Sequence, residues 1–204
     1  MSEAEVINSL NSKQKETTSQ SEPIPMKYSK TELLGHNSYV YVVKFSKDGD
    51  YIMSGSQDRS IKLWNPTKKL LIKSYENIHS QDVLDLAITQ DNTKFSSCGA
   101  EKQVYYNDAN TGNVLRRFHG HTGRVNTIAF NPNESVLVSG SYDCTAKLWD
   151  LKSQSREPIQ NLNHAKDSIS KVLVLEDKIL TASVDGCVRV YDIRMGSLKL
   201  TVWT

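Results

Sequence analysis

GHTGRVNTIAFNPNESVLVSGSYDCTAKLWD, residues 120–150, carries four side chains at distances that recur through the chain. From His121 a hydroxyl follows 18 residues later at Ser139, an acid 22 later at Asp143, and an indole 28 later at Trp149. Between them lie the alternating segments Val125–Phe130, Val136–Ser141 and Thr145–Trp149, broken by the turn-forming cluster Asn131-Pro132-Asn133. Toward the N-terminus the set returns as His36, Ser54, Asp58, Trp64 and as His79, Ser97, Glu101, Asn107. Toward the C-terminus it returns as His164, Thr181, Asp185, Tyr191. The histidines step by 43, 42 and 43 residues, and the acids follow them by 22, 22, 22 and 21.

A period of about 40–45 residues made of short strands marks a propeller blade. The first unit reads as strands Tyr39–Phe45, Tyr51–Ser56, Ser60–Trp64 and Leu70–Tyr75. The second reads as Val83–Ile88, Lys94–Gly99, Gln103–Tyr106 and Val114–Phe118. Ile159–Leu162 completes the third, and Ile169–Leu175, Lys178–Ser183, Cys187–Tyr191 and Leu198–Val202 form the last. The expected fold is all-β: four four-stranded antiparallel blades, about 35–76, 77–119, 120–163 and 164–204. Residues 1–27, rich in Ser, Thr, Gln, Lys and Glu, bury too little apolar surface to offset their ordering entropy, so a disordered polar tail is expected there.

Histidine, serine and aspartate together also suggest a hydrolase. A catalytic triad, however, is assembled once per active site, and here the set occurs four times without a G-x-S-x-G elbow. A structural brace explains the recurrence: each histidine links a strand hydroxyl to the acid of the next turn, and the aromatic or amide joins them. Satisfied in this way, each buried polar group avoids a penalty of roughly 1–3 kcal/mol. Blades one and three carry the full set and should be stiffest; blades two and four carry worn versions. No metal-ligand cluster, phosphate-cradling glycine loop or isolated nucleophile is visible, so neither enzyme activity nor a cofactor is expected.

Twenty-five basic and 23 acidic residues leave a net charge of +2, which advertises neither nucleic acid nor a membrane surface. The basic residues Arg116, Arg117 and Lys171 are interleaved with acids, and direct nucleic-acid binding is not expected. Cys98, Cys144 and Cys187 are odd in number and lack a CxxC pair, so they read as small core or turn residues in a reducing compartment. No signal-like or membrane-spanning apolar run is present in the sequence.

The combination of Leu63-Trp64-Asn65, Gly120-His121, Ser139-Gly140-Ser141-Tyr142-Asp143 and Leu148-Trp149-Asp150 with this period resembles the WD-repeat propeller family. The runs Ile61–Pro66, Gly120–Thr127, Glu157–Gln160 and Ser183–Gly196 resemble its branch that organises mitogen-activated protein kinase modules and occurs with the catalytic spliceosome. That resemblance implies a non-enzymatic scaffold in cytoplasm and nucleus, with kinase-module and spliceosome proteins as partners. Rings of the family usually close with seven blades, so four imply an incomplete seven-blade-type propeller: a shortened form, or a half-propeller that self-associates through open blade faces. Loops carry binding in such folds, and Tyr39, Arg59, Asp82, Arg124 and Tyr142 are the candidate contacts on one face. Asp192 and Arg194 lie on the other, where Tyr191-Asp192-Ile193-Arg194 resembles the box that docks substrate receptors to cullin-based ubiquitin ligases.

Overall fold

The computed structural model describes residues 32–192 and the strand Thr201–Trp203. The first sheet is Val40–Phe45 (β1), Ile52–Ser56 (β2), Ile61–Asn65 (β3) and Leu70–Tyr75 (β4). The second is Val83–Ile88 (β5), Lys94–Gly99 (β6), Val104–Asp108 (β7) and Val114–Phe118 (β8). Val125–Phe130 (β9), Val136–Ser141 (β10), Ala146–Asp150 (β11) and Gln160–Leu162 (β12) make the third. Ile169–Leu175 (β13), Lys178–Ser183 (β14), Val188–Asp192 (β15) and Thr201–Trp203 (β16) make the fourth. Every pairing is antiparallel between consecutive strands, and no helix occurs among the described residues. The expected all-β, four-blade architecture is therefore what the chain adopts.

Third strands begin one residue later than alternation predicts, at Ile61, Val104, Ala146 and Val188. The reason is local in three of the four. The Asp58 carboxylate accepts the Ser60 N–H at 2.9 Å, Asp143 accepts Thr145 N–H at 3.0 Å, and Asp185 accepts Cys187 N–H at 3.1 Å. These donors serve the turn, so the ladder starts after them. The segment 32–39 ahead of β1 forms no strand, and residues 1–31, including the expected tail, lie outside the described residues.

Blades pack face to face, and the three cores sit between them. Val42, Met53 and Ile61 of the first blade meet Val83, Leu86 and Phe95 of the second. Val104 and Phe118 meet Val125, Leu137 and Trp149, and Val138 and Leu148 meet Ile169, Val172 and Ile179. Each second strand comes close to the first strand of the next blade at these points: a Cβ placed on Gly140 would lie 2.6 Å from Ile169 Cγ2, and one on Gly55 would lie 2.6 Å from Val83 Cγ1. Glycine is needed at both points because the next blade's first strand leans against bare backbone. Among the described residues, the outward faces of the first and fourth blades are more open: Val43 and Phe45 are 54% and 64% exposed, Leu173 and Leu175 59% and 67%.

One buried carboxylate ties all four inner strands. Asp85 of β5 accepts hydrogen bonds from the Thr127 hydroxyl at 2.9 Å and Ile128 N–H at 3.1 Å, both on β9. Lys171 Nζ of β13 reaches it at 2.7 Å and Lys44 Nζ of β1 at 3.6 Å. With its side chain 2% exposed, Asp85 is a charge that stays buried because it is paired and fully hydrogen-bonded.

Candidate functional site: polar braces and the loops they hold

In the third blade the side chains form a closed chain. Trp149 Nε1–H donates to Ser139 Oγ at 2.8 Å, and Ser139 Oγ lies 2.7 Å from His121 Nε2. His121 Nδ1 lies 2.8 Å from Asp143 Oδ2, which also accepts Thr122 N–H at 2.9 Å. The neutral Nδ1–H tautomer satisfies every member: indole to hydroxyl, hydroxyl to Nε2, Nδ1–H to carboxylate. Burial pushes the Asp143 carboxyl up, but hydrogen bonds from His121, Thr145 and Thr122 outweigh it and hold it well below the usual carboxylate range.

The first blade repeats this. His36 stands 2.9 Å from Asp58 and 2.7 Å from Ser54, and Trp64 Nε1–H donates to Ser54 at 2.8 Å. Burial again raises Asp58, and hydrogen bonds from Ser60, Asn37 N–H and His36 lower it further than burial lifts it.

The second blade is looser. His79 Nε2 meets Ser97 at 2.8 Å, but the Asn107 amide that replaces the indole reaches Ser97 only at 3.2 Å. His79 Nδ1 and Glu101 Oε1 are 2.5 Å apart yet not aligned as a hydrogen bond. Despite burial, the contacts of His79 and Ser80 draw the Glu101 carboxyl down to about 2.

The fourth blade corrects the sequence reading. His164 is exposed, its ring 5.7 Å from the Tyr191 ring, and Asp185 is held instead by Arg189 through two bonds of 3.0 and 2.7 Å. The backbone donor to the acid is Lys166 N–H, whereas in blades one to three it is the residue just after the histidine. Ala165, packed on the core, thus occupies the histidine's place. The cause is the β13–β14 turn: Val174 pairs Ile179 where Phe45 pairs Ile52, so the loop is two residues shorter and the 22-residue ruler misses. Thr181 and Tyr191 remain buried, and burial raises the Tyr191 phenol while Thr181 draws it down. Asp185-x-x-x-Arg189 was the sequence signal for the replacement.

The connectivity of Ser139, His121 and Asp143 is that of a hydrolytic triad, but the chemistry is not available. Ser139 has no exposed surface, and the Trp149 indole occupies one side of its hydroxyl. A carbonyl carbon has no approach to Oγ, and attack requires contact near 3–3.5 Å. Among the described residues no group of three or more His, Cys, Asp or Glu is placed to hold a metal ion.

What the braces do is hold loops. The carbonyls of Tyr39, Asp82 and Arg124 accept the N–H of Gln57, Ala100 and Tyr142 in the acid-bearing turns, at 2.8, 2.9 and 2.9 Å. These three candidate contacts therefore occupy equivalent rim positions on the face that carries the histidine loops. Tyr39 is 74% exposed, and the Arg124 guanidinium lies over the exposed Tyr142 ring at 5.3 Å. Arg59 follows Asp58 in a left-handed conformation, φ 69°, and projects from the same face. Asp192 lies opposite, paired in register with Lys178, and Arg194 lies outside the described residues.

Known proteins match this pattern. The family described as "WD domain, G-beta repeat" matches residues 27–65 and 112–150, the units that hold the two complete braces. The chain belongs to the WD-repeat family. The WD repeat domain-containing protein 83 homolog of Dictyostelium discoideum is 38% identical over 195 residues, covering 81% of this chain and 59% of that protein. Pre-mRNA-splicing factor cwf17 of Schizosaccharomyces pombe is 28% identical, over 80% of this chain and 48% of its own length. The solved structure of U3-55K superposes with a TM-score of 0.76 at 26% identity, over 82% of this chain and 53% of that one. This WD-repeat chain thus spans about half the length of the relatives it matches.

Proposed function

We propose that the chain is a non-enzymatic protein-interaction scaffold that assembles multiprotein complexes, pre-mRNA splicing complexes among them. The observation that carries this reading is the closed brace: Ser139 is fully covered and bonded to Trp149, so the recurring polar set serves architecture and leaves its loops free to bind. The exposed Arg124–Tyr142 stack is the strongest contact surface on that face, since Arg and Tyr are enriched among interface anchors. Similarity to a named splicing factor supports spliceosome proteins as partners and a nuclear site of action. Kinase-module partners and a cytoplasmic pool rest on the runs in residues 61–66, 120–127, 157–160 and 183–196.

Affinity purification with mass spectrometry tests it, comparing the wild type with an Arg124→Glu, Tyr142→Ala double variant. Loss of splicing or kinase-module proteins from a variant that melts normally supports the reading. Unchanged recovery removes this face from it, and absence of both protein classes from the wild type overturns it. An Arg194→Glu arm that selectively loses a cullin adaptor would replace scaffolding with substrate reception.

A further inference from the structure

Between the first and second blades, on the face opposite the histidine loops, lies a cleft of about 440 Å³. It falls in the roughly 300–1,000 Å³ range of ligand-sized clefts. Met53, Leu63 and Ile72 supply one wall, and Ile88 and Ala109 the other. Ile72 is the extra residue of a bulge, because Leu63 pairs Lys73 while Trp64 pairs Leu71. The bulge re-aims its side chain, which stays 48% exposed at the mouth.

The next cleft shows why this one is open. Positions 63, 88 and 109 correspond to 106, 130 and 151, at repeat steps of 43, 42 and 42. There the chain places Tyr106, Phe130 and Leu151, and the two rings close on each other edge to face at 6.2 Å. Leu63, Ile88 and Ala109 are each smaller than their counterparts. Both sites are otherwise built alike: Ala109 N–H bonds Thr93 O at 2.9 Å and Leu151 N–H bonds Ser135 O at 2.9 Å.

Polar groups at the cleft specify the occupant. Asn92 Oδ1 is buried without a hydrogen-bond partner, although its Nδ2 donates to Asp48 at 2.9 Å. Asp91 lines the same cleft, and Thr89 and Thr93 hold it as an anion. Among the described residues neither Asp48 nor Asp91 forms an ion pair.

We infer that this cleft is a docking site for a segment of a partner protein that inserts one bulky apolar side chain beside a lysine or arginine. The apolar group fills the space left by Leu63, Ile88 and Ala109. The cation faces Asp91, and Asp48, held beside the cleft by Asn92, adds to the negative charge there. The site is separate from the Arg124–Tyr142 face, so either reading can fail without the other.

The test is NMR titration of the isotope-labelled full chain with Ac-Arg-Phe-Arg-NH2, Ac-Glu-Phe-Glu-NH2 and Ac-Arg-Ala-Arg-NH2. The first should shift the Asn92 side-chain amide and the Met53 and Ile72 methyls in a saturable manner. The acidic peptide should bind at least tenfold more weakly, and the alanine peptide should not saturate. Ala109→Leu, which copies the filled cleft, should keep or raise the melting temperature and weaken the first peptide at least tenfold. Ile72→Lys at the exposed mouth should do the same without touching the core. Equal binding of all three peptides, shifts centred elsewhere, or full binding by both variants would overturn the inference.

Discussion

The third and fourth blades present an acid at the same place in the same turn, yet secure it by different means. Asp143 takes a histidine from the preceding loop; Asp185 takes an arginine four residues on, in the strand that its turn leads into. The first arrangement joins two distant parts of the blade and reaches a tryptophan. The second keeps its side-chain pairing within the Asp185–Arg189 hairpin and holds the incoming loop only by the Lys166 N–H, with the His164 ring outside the network. The difference shows that the acid holds the backbone of the incoming loop in every blade, whereas the histidine extends that anchor inward to the second-strand hydroxyl.

The largest effect should come from His121→Ala. It leaves Ser139 and Asp143 buried without their partner, and urea denaturation should show a loss of about 3 kcal/mol. His79→Ala should lower the urea midpoint less, because its contact with Glu101 is unaligned and its Asn107 link is longer. An equal or greater loss would erase the ranking of the blades.

Acid titration sharpens the comparison further. The folded Glu101 carboxyl sits at about 2, below its ordinary 4.5. Its stabilising contribution is therefore complete above pH 4.5 and disappears as pH falls toward about 2. Glu101→Gln should flatten the stability profile in that window, as followed by circular dichroism; an unchanged slope would count against the contact.

In the fourth blade, Arg189→Leu should lower the melting temperature, and His164→Ala should change stability by no more than about 0.5 kcal/mol. If calorimetry instead showed His164→Ala to be the more damaging, the exchange of histidine for arginine would be wrong.

The strand pattern was legible because short apolar segments recur between turn-forming clusters such as Lys47-Asp48-Gly49-Asp50 and Asn131-Pro132-Asn133. The first three histidine–acid pairs were legible for a related reason: their loops are equal in length, so distance along the chain stands in for distance in space. That equivalence failed at His164. Glu176-Asp177 makes a two-residue hairpin, and the deletion moved Ala165 into the position that counting gave to His164. Asp85 was visible only as a charge inside an apolar strand. Its partners Thr127 and Lys171 belong to other blades, and no local pattern brings them together. The open cleft was hidden for the opposite reason: Leu63, Ile88 and Ala109 are unremarkable alone and acquire meaning only beside Tyr106, Phe130 and Leu151.

Repeat arrays normally gain stability one neighbour at a time, but the bond from Lys171 to Asp85 skips a whole repeat. These two residues are 86 positions apart, so a ribosome releases the carboxylate long before the nearer of its two lysine partners. A nascent pair of leading repeats therefore offers Asp85 only Lys44 as a cation, at 3.6 Å, and its other partners on β9 and β13 follow later. Unzipping from the fourth blade should therefore be felt directly in the second, where Asp85 would lose its nearer lysine.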